Sequence, residues 1–412
     1  MNFILYRNIA NDKVLNAFWN SYGGERSDAI YKMIEISHRF GLAGNVFKNY
    51  LAYLVAMAEN PFSVANERNT VDKDCSLYKL FCSDVAELFT FAQKAPLATN
   101  FVAFGDSLVN FVPKKNVPFN FESKARMFAN FAKEFGEAKS PLELEGAITR
   151  FYLTYGCGKF ALANAFRYNI NKRTLESAYP IQDVQLSDII GYESQKLKII
   201  KNTEDFIAGK ASNNVLLYGA GGTGKSTTIK AILNRYAFDG LRIIEVYKQH
   251  FPYLDDILDE VKNRNYRFIL FLDDLSFENF ETEYKYLKAF IEGGITAKPE
   301  NVLIYATSNR RHLIKETWND RTDKEEDMHI SETMQEKLSL VDRFGLAIRF
   351  VSPEQEEYLN IARQTAIKLG AKSEDVETEE FEKEAVQWEL RHGGFSGRCA
   401  AQFATCFVNN EK

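Results

Sequence analysis

The stretch Gly219-Ala220-Gly221-Gly222-Thr223-Gly224-Lys225-Ser226 decides the fold. It satisfies the spacing G-x-x-x-x-G-K-[ST] and sits between an apolar run, Asn214 to Tyr218, and a helix-forming segment, which is the context this motif requires. Glycines let successive backbone N–H groups close around a phosphate without Cβ clashes, and the helix that follows adds its N-terminal amides and positive dipole end. In this pattern Lys225 reaches the β- and γ-phosphates, Ser226 ligates Mg²⁺, and Thr227 completes the phosphate-binding set. The alternative, a glycine-rich turn with no ligand, does not account for Lys and Ser at the required positions.

Working outward, a second station follows. The run Phe268 to Leu272 leads into Asp273-Asp274, so two carboxylates emerge at the C-terminal tip of a buried strand, where open α/β sheets bind ligands. Asp273 suits a Mg²⁺ ligand. Asp274 stands where a glutamate often polarises an attacking water, and it is one methylene shorter. Further short β-rich runs, Leu241 to Val246, Val302 to Ala306 and Leu346 to Phe350, alternate with amphipathic segments. Together with Asn214 to Tyr218 and Arg267 to Leu272 they predict an α/β domain with a parallel sheet of five strands.

These stations, in their order, resemble the AAA+ superfamily of P-loop ATPases over roughly residues 186–405. The resemblance implies an AAA+ core, ATP and Mg²⁺ as ligands, and a small C-terminal helical lid. It implies that the segment around Ile190 and Gly191 cups the adenine, and that Asn309, closing Ala306-Thr307-Ser308-Asn309, is the sensor-1 residue holding the attacking water. It places Arg343, within Glu336 to Gly345, as an arginine finger acting in trans in a homo-oligomer. It makes Arg398, in Gly394-Phe395-Ser396-Gly397-Arg398, the sensor-2 arginine. Asp274, Asn309, Arg343 and Arg398 are thus the catalytic candidates. The phrases at 155–168, 271–277, 304–314, 336–350 and 395–403 resemble more narrowly a bacterial family of predicted AAA+ ATPases of unknown function, in which Asp-Asp replaces the usual Asp-Glu.

The rest of the 412 residues sets the frame. Apolar residues at 45% and charged residues at 26% are ordinary globular usage, and the apolar run Leu51 to Ala58 is too short to cross a bilayer. Five cysteines without a Cys-x-x-Cys read as reduced thiols, and His329 and His392 lack ligand partners, so the expectation is a cytoplasmic protein with neither zinc nor a membrane span. Of the 33 phenylalanines, 19 precede residue 180, in segments of helical periodicity: Val14 to Tyr22, Ala29 to Arg39, Val46 to Ala58, Leu77 to Gln93, Ser123 to Phe135 and Leu142 to Tyr155. Loops such as Asn60-Pro61 interrupt them. The expected domains are therefore 1–180, mainly helical and a candidate for binding a protein client; 181–351, the nucleotide-binding core; and 352–412, the helical lid.

Residues 1–180 hold 21 Lys and Arg against 17 Asp and Glu, so the net charge of −5 belongs to the later part and argues against a generally basic nucleic-acid coat. The cluster Asn309-Arg310-Arg311-His312 reads first as a solvated loop, and the acidic run Asp320 to Asp327 as a flexible one. Three functions remain in play: an ATPase that remodels an unknown partner, a slow nucleotide-gated assembly module favoured by Asp274, and a nucleic-acid-directed ATPase, which is least favoured.

Overall fold

The computed structural model describes residues 2–20, 24–94, 105–114, 119–178, 182–276, 283–292, 298–309 and 343–410. The chain divides into two units, one of residues 1–164 and 177–181, the other of residues 165–176 and 182–412.

The first unit is helical. Its helices include Lys13–Asn20, Gly24–Arg39, Val46–Ala56, Pro61–Glu67, Ser76–Gln93, Phe119–Glu137 and Pro141–Tyr155. Asn60-Pro61, expected as an interrupting loop, instead starts a helix. Asn60 Oδ1 accepts the amides of Phe62 and Ser63 at 3.0 and 2.9 Å, and Ser63 Oγ accepts the Asn60 amide at 2.9 Å. Proline at the first helical position needs no hydrogen bond there, so the apparent breaker is a capping box.

The phenylalanines pack inward. Phe62 stacks on Phe81 with ring centroids 3.7 Å apart, and Phe131 stacks on Phe151 at 4.2 Å. Within this core the hydroxyls of Tyr6 and Tyr152 meet at 3.2 Å and Tyr152 donates to Val55 O, so burial leaves neither phenol without a partner. The buried Asp84 carboxylate accepts the amides of Ile4, Leu5 and Tyr6 at 2.7 to 3.1 Å and ties down the start of the chain.

In the second unit, β1 (Ala165–Asn169), β2 (Thr174–Ser177), β3 (Val215–Gly219), β4 (Leu241–Glu245), β5 (Arg267–Leu272), β6 (Val302–Ser308) and β7 (Leu346–Phe350) form one sheet in the order β2-β1-β4-β5-β6-β3-β7. The five expected strands are present and parallel, but the sheet has seven. The additional β1 pairs parallel with β4, Ala165 opposite Ile243 and Arg167 opposite Glu245. An Arg167–Glu245 ion pair of 2.5 Å spans that register. A five-residue strand with one charged and two half-buried positions has too little periodicity to be read locally; its partner β4, far along the chain, defines it.

Helices Glu193–Ile207, Lys225–Tyr236 and Leu254–Val261 link the central strands, as parallel pairing demands. Helices Gln355–Lys368, Glu379–His392 and Gly397–Asn410 close over their own core of Tyr358, Phe381 and Phe403. Among the described residues no helix is long and apolar enough to cross a membrane.

Replacing Asp84 with alanine leaves three backbone amides without their acceptor. The expected result is a loss of about 2–3 kcal/mol together with faster hydrogen exchange at Leu5 and Tyr6. Unchanged exchange at those amides would show that the carboxylate is not their anchor.

Candidate functional site

The site grows from the end of β3. At Gly219 the backbone has φ of +137°, and a Cβ there would lie 1.9 Å from Phe350 O, so only glycine lets β3 and β7 close at this point. The chain then turns through Ala220 to Gly224 into the helix Lys225–Tyr236. Thr223 Oγ1 donates to Ala220 O at 2.9 Å and Thr228 Oγ1 to Gly224 O at 2.8 Å, which fixes the loop on both sides. Lys225 folds back across it, donating to Gly219 O at 3.0 Å, Ala220 O at 2.6 Å and Asn309 Oδ1 at 3.1 Å. Burial pushes the Lys225 pKa down; Asp274 and Asp273 oppose that, and Arg398 adds to it.

The carboxylates lie beside this loop because β5 and β6 are paired with Leu272 opposite Ala306, which brings Asp273 next to Thr307. Asp273 Oδ1 accepts both Ser226 Oγ at 2.5 Å and Thr307 Oγ1 at 2.6 Å. The same Thr307 oxygen accepts the Asp274 amide at 2.9 Å, and Leu275 N donates to Thr307 O at 2.7 Å. These bonds hold Asp274 at φ of +51°, a left-handed conformation a non-glycine residue adopts only when its surroundings require it. Asn309 Nδ2 donates to Asp274 Oδ1 at 2.9 Å, so Asn309 joins Lys225 to Asp274. The Ser226 hydroxyl and the Asp273 carboxylate are hard oxygen donors of the kind that suit Mg²⁺.

The helical C-terminal segment forms the opposite wall. A Cβ on Gly222, whose φ is +73°, would lie 3.1 Å from Arg398 Cβ and 3.2 Å from Ser396 Oγ, and the Arg398 amide donates to Gly222 O at 3.1 Å. On the remaining side Ile190 and Gly191 precede Tyr192, which stacks on Phe350 at 5.0 Å and donates its hydroxyl to Val351 O at 2.7 Å. Burial, with Glu357 nearby, pushes the Tyr192 phenol up to about 12. The cleft enclosed measures about 920 Å³ and is lined by Ile190, Gly221 to Thr227, Asp273, Asp274, Asn309 and Arg398.

Arg343 lies elsewhere. It is exposed three residues before β7, whose first residue pairs with Val215 and whose last pairs with Gly219. It precedes the strand in a turn, so it lies off the end of β7 that pairs with Val215, while Phe350 at the other end, about 13 Å along the strand, pairs with Gly219. Residues 310–342, which include the basic positions 310–312, the acidic run 320–327 and His329, fall outside the described residues. Sequence reading gave the strand-end role to Asn309 and passed over Thr307; the β5–β6 register was the missing signal. It also passed over Asp188 and Lys368, which line the cleft and form an ion pair across it.

A parallel sheet in the central order β4-β5-β6-β3-β7, a phosphate loop on β3, paired carboxylates on β5 and a polar strand end on β6 define a protein of the AAA+ P-loop ATPase class. The chain belongs to the family described as "Protein of unknown function (DUF815)", whose model matches residues 161–411. No curated protein matches it. Among solved structures it is similar to two mutant forms of Thermotoga maritima RuvB, at 19% and 18% identity and a TM-score of 0.37 each, covering 54% and 55% of this chain. In both cases 64% of the RuvB chain is spanned, less than two thirds. It is also similar to the Thermotoga maritima RuvB Holliday junction branch migration motor, at 15% identity and a TM-score of 0.33, over 56% of this chain and 72% of that one.

Thr307→Val removes both bonds that position Asp273 and the Asp274 turn. Mg²⁺-dependent affinity for a fluorescent ATP analogue is expected to fall about tenfold, the equivalent of about 1.4 kcal/mol, and Thr307→Ser is expected to restore it. Equal affinity in all three proteins would exclude the positioning role.

Proposed function

We propose that the chain binds Mg-ATP in this cleft, hydrolyses it as part of a homo-oligomer, and couples the ATP/ADP cycle to remodelling of a protein partner. The observation that carries the reading is the convergence of Lys225, the Ser226–Asp273–Thr307 cluster and Arg398 around one phosphate-sized loop of backbone amides. Lys225 would exchange its carbonyl partners for the β- and γ-phosphates, and the loop from Gly219 to Gly224 would hold the phosphates through backbone amides. Ser226 and Asp273 would hold Mg²⁺, which supplies neutralisation of phosphate charge when bound. Asp274 and Asn309 orient the attacking water, and Arg398 reaches the phosphates from the opposite wall. Ile190 and Gly191 cover the base.

Arg343 is exposed and precedes β7 at the end of the strand away from its own phosphate loop, and this supports a finger acting on a neighbouring subunit. The helical residues 1–180 are the proposed client-binding region, 181–351 the nucleotide-binding core and 352–412 the lid, in a cytoplasmic setting.

One observation favours the slower, nucleotide-gated reading. Asp274 is short for a water-polarising base and one of its oxygens already accepts from Asn309. Steady-state turnover separates the two readings, and stimulation by DNA or RNA with steep salt dependence would instead point to the nucleic-acid-directed alternative.

Asp273→Asn is expected to abolish Mg²⁺-dependent turnover more completely than Asp274→Asn. If the Asp274 variant proves the more inactive while binding Mg-ATP normally, the gated reading is wrong and Asp274 is the base. Arg343→Ala is expected to lower turnover by about 10³–10⁵-fold with little change in ATP affinity. Mixing Arg343→Ala with Lys225→Ala subunits should recover part of the activity, since each supplies what the other lacks. Co-assembly without recovery would rule out a finger in trans.

A further inference from the structure

A second cavity, of about 340 Å³, opens at the other end of the sheet, where β5 and β6 begin. Its wall includes Phe206, Gly209, Lys210, Arg267, Lys298 and Glu300. The strands that start here end at Leu272 and Ser308, beside Asp273 and Asn309, so the cavity stands a full strand length, about 17 Å, from the phosphate loop and is no part of that cleft.

Three cations meet one carboxylate in this wall. Lys298 is half-buried; its ammonium donates to Asn214 Oδ1 at 2.9 Å, an oxygen that also accepts the Ile304 amide at 3.0 Å. Arg267 lies over the Phe206 ring at 5.5 Å, reaches Glu300 O at 3.5 Å and places its second terminal nitrogen beside Gly209. Lys210 is exposed and 3.7 Å from Asp205, whose same oxygen already holds Lys201 at 2.8 Å. Among the described residues no carboxylate pairs with Lys298 or Arg267, and the Glu300 side chain pairs with none of the three. Partly burying an ammonium against a single neutral amide oxygen costs solvation that an anion in the cavity would repay. Burial pushes the Lys298 pKa down to about 8, which leaves it charged at neutral pH.

We propose that this cavity is an anion site for a phosphate monoester or inorganic phosphate. The two excess positive charges of its wall match a phosphate dianion, and the anchored Arg267 guanidinium offers the planar fork that phosphate oxygens accept. Lys298 supplies a point charge from the inner wall and Lys210 one from the rim. The inference is independent of the nucleotide reading, because it uses no residue of that cleft.

The test is calorimetric titration of the full-length chain with inorganic phosphate, and separately with O-phosphoserine. Binding is expected to persist in Lys225→Ala, which disables the phosphate loop, and to weaken about tenfold or more in Lys298→Met and in Arg267→Met, each the loss of a charge-assisted bond. Lys298→Arg, which keeps the charge, should retain most of it. Affinity should also fall as pH rises through about 8, because Lys298 then loses the proton that attracts the dianion. Tighter binding of O-phosphoserine would identify a phosphorylated side chain as the source, and equal binding would identify free phosphate. Phosphate affinity unchanged in Lys298→Met, or lost in Lys225→Ala alone, would overturn the proposal. So would a pH dependence indifferent to Lys298→Met in a variant whose circular dichroism matches the parent.

Discussion

The nucleotide cleft depends on a backbone pressed between two walls with no room for side chains. At Gly219 the carbonyl oxygen of Phe350 stands where a Cβ would be, and at Gly222 the side chains of Ser396 and Arg398 crowd the same position. Because the loop fits only as bare backbone, its amides are presented together and its two neighbours, β7 and the helix Gly397–Asn410, are held at fixed distance. Tyr192, stacked on Phe350 and bonded to Val351, extends the same contact to the side of the cleft where Ile190 lies. One close approach therefore organises three walls.

Electrostatics follow from that geometry. Lys225 is only 6% exposed, and loop carbonyls and Asn309 replace the water it loses. Opposite it, one oxygen of Asp273 accepts two hydroxyls, leaving the rest of the carboxylate for a cation. Thr307 is the hinge of this arrangement, since a single hydroxyl both donates to Asp273 and accepts from the Asp274 amide. The left-handed turn at Asp274 is held by these bonds.

Much of this was legible in the chain. Gly219 to Ser226 announces a strand, a glycine loop and a helix because each residue type is there for a local reason: conformational freedom, charge, or a hydroxyl in the first turn of the helix. The β5 run and its terminal Asp273-Asp274 were legible for the same reason. The capping box at Asn60 was not, because proline after asparagine serves loops and helix starts alike, and the choice was made by Ser63 three residues later. Strands β1 and β2 were not, because their pattern is too short to stand out from the helical segments before them.

By itself, then, the sequence determined the phosphate loop, the five strands β3 to β7 and the residues placed at their tips, since local backbone preference and the alternation of apolar runs with helices suffice for those. Tertiary structure alone decided the two added strands, the pairing of Thr307 with Asp273, the approach of Arg398 to Gly222 and the gathering of Lys210, Arg267 and Lys298 in one cavity. Each of these joins residues from tens to more than a hundred positions apart. Their meeting is fixed by sheet register and by packing of one element on another, and neither leaves a mark in any short stretch of chain.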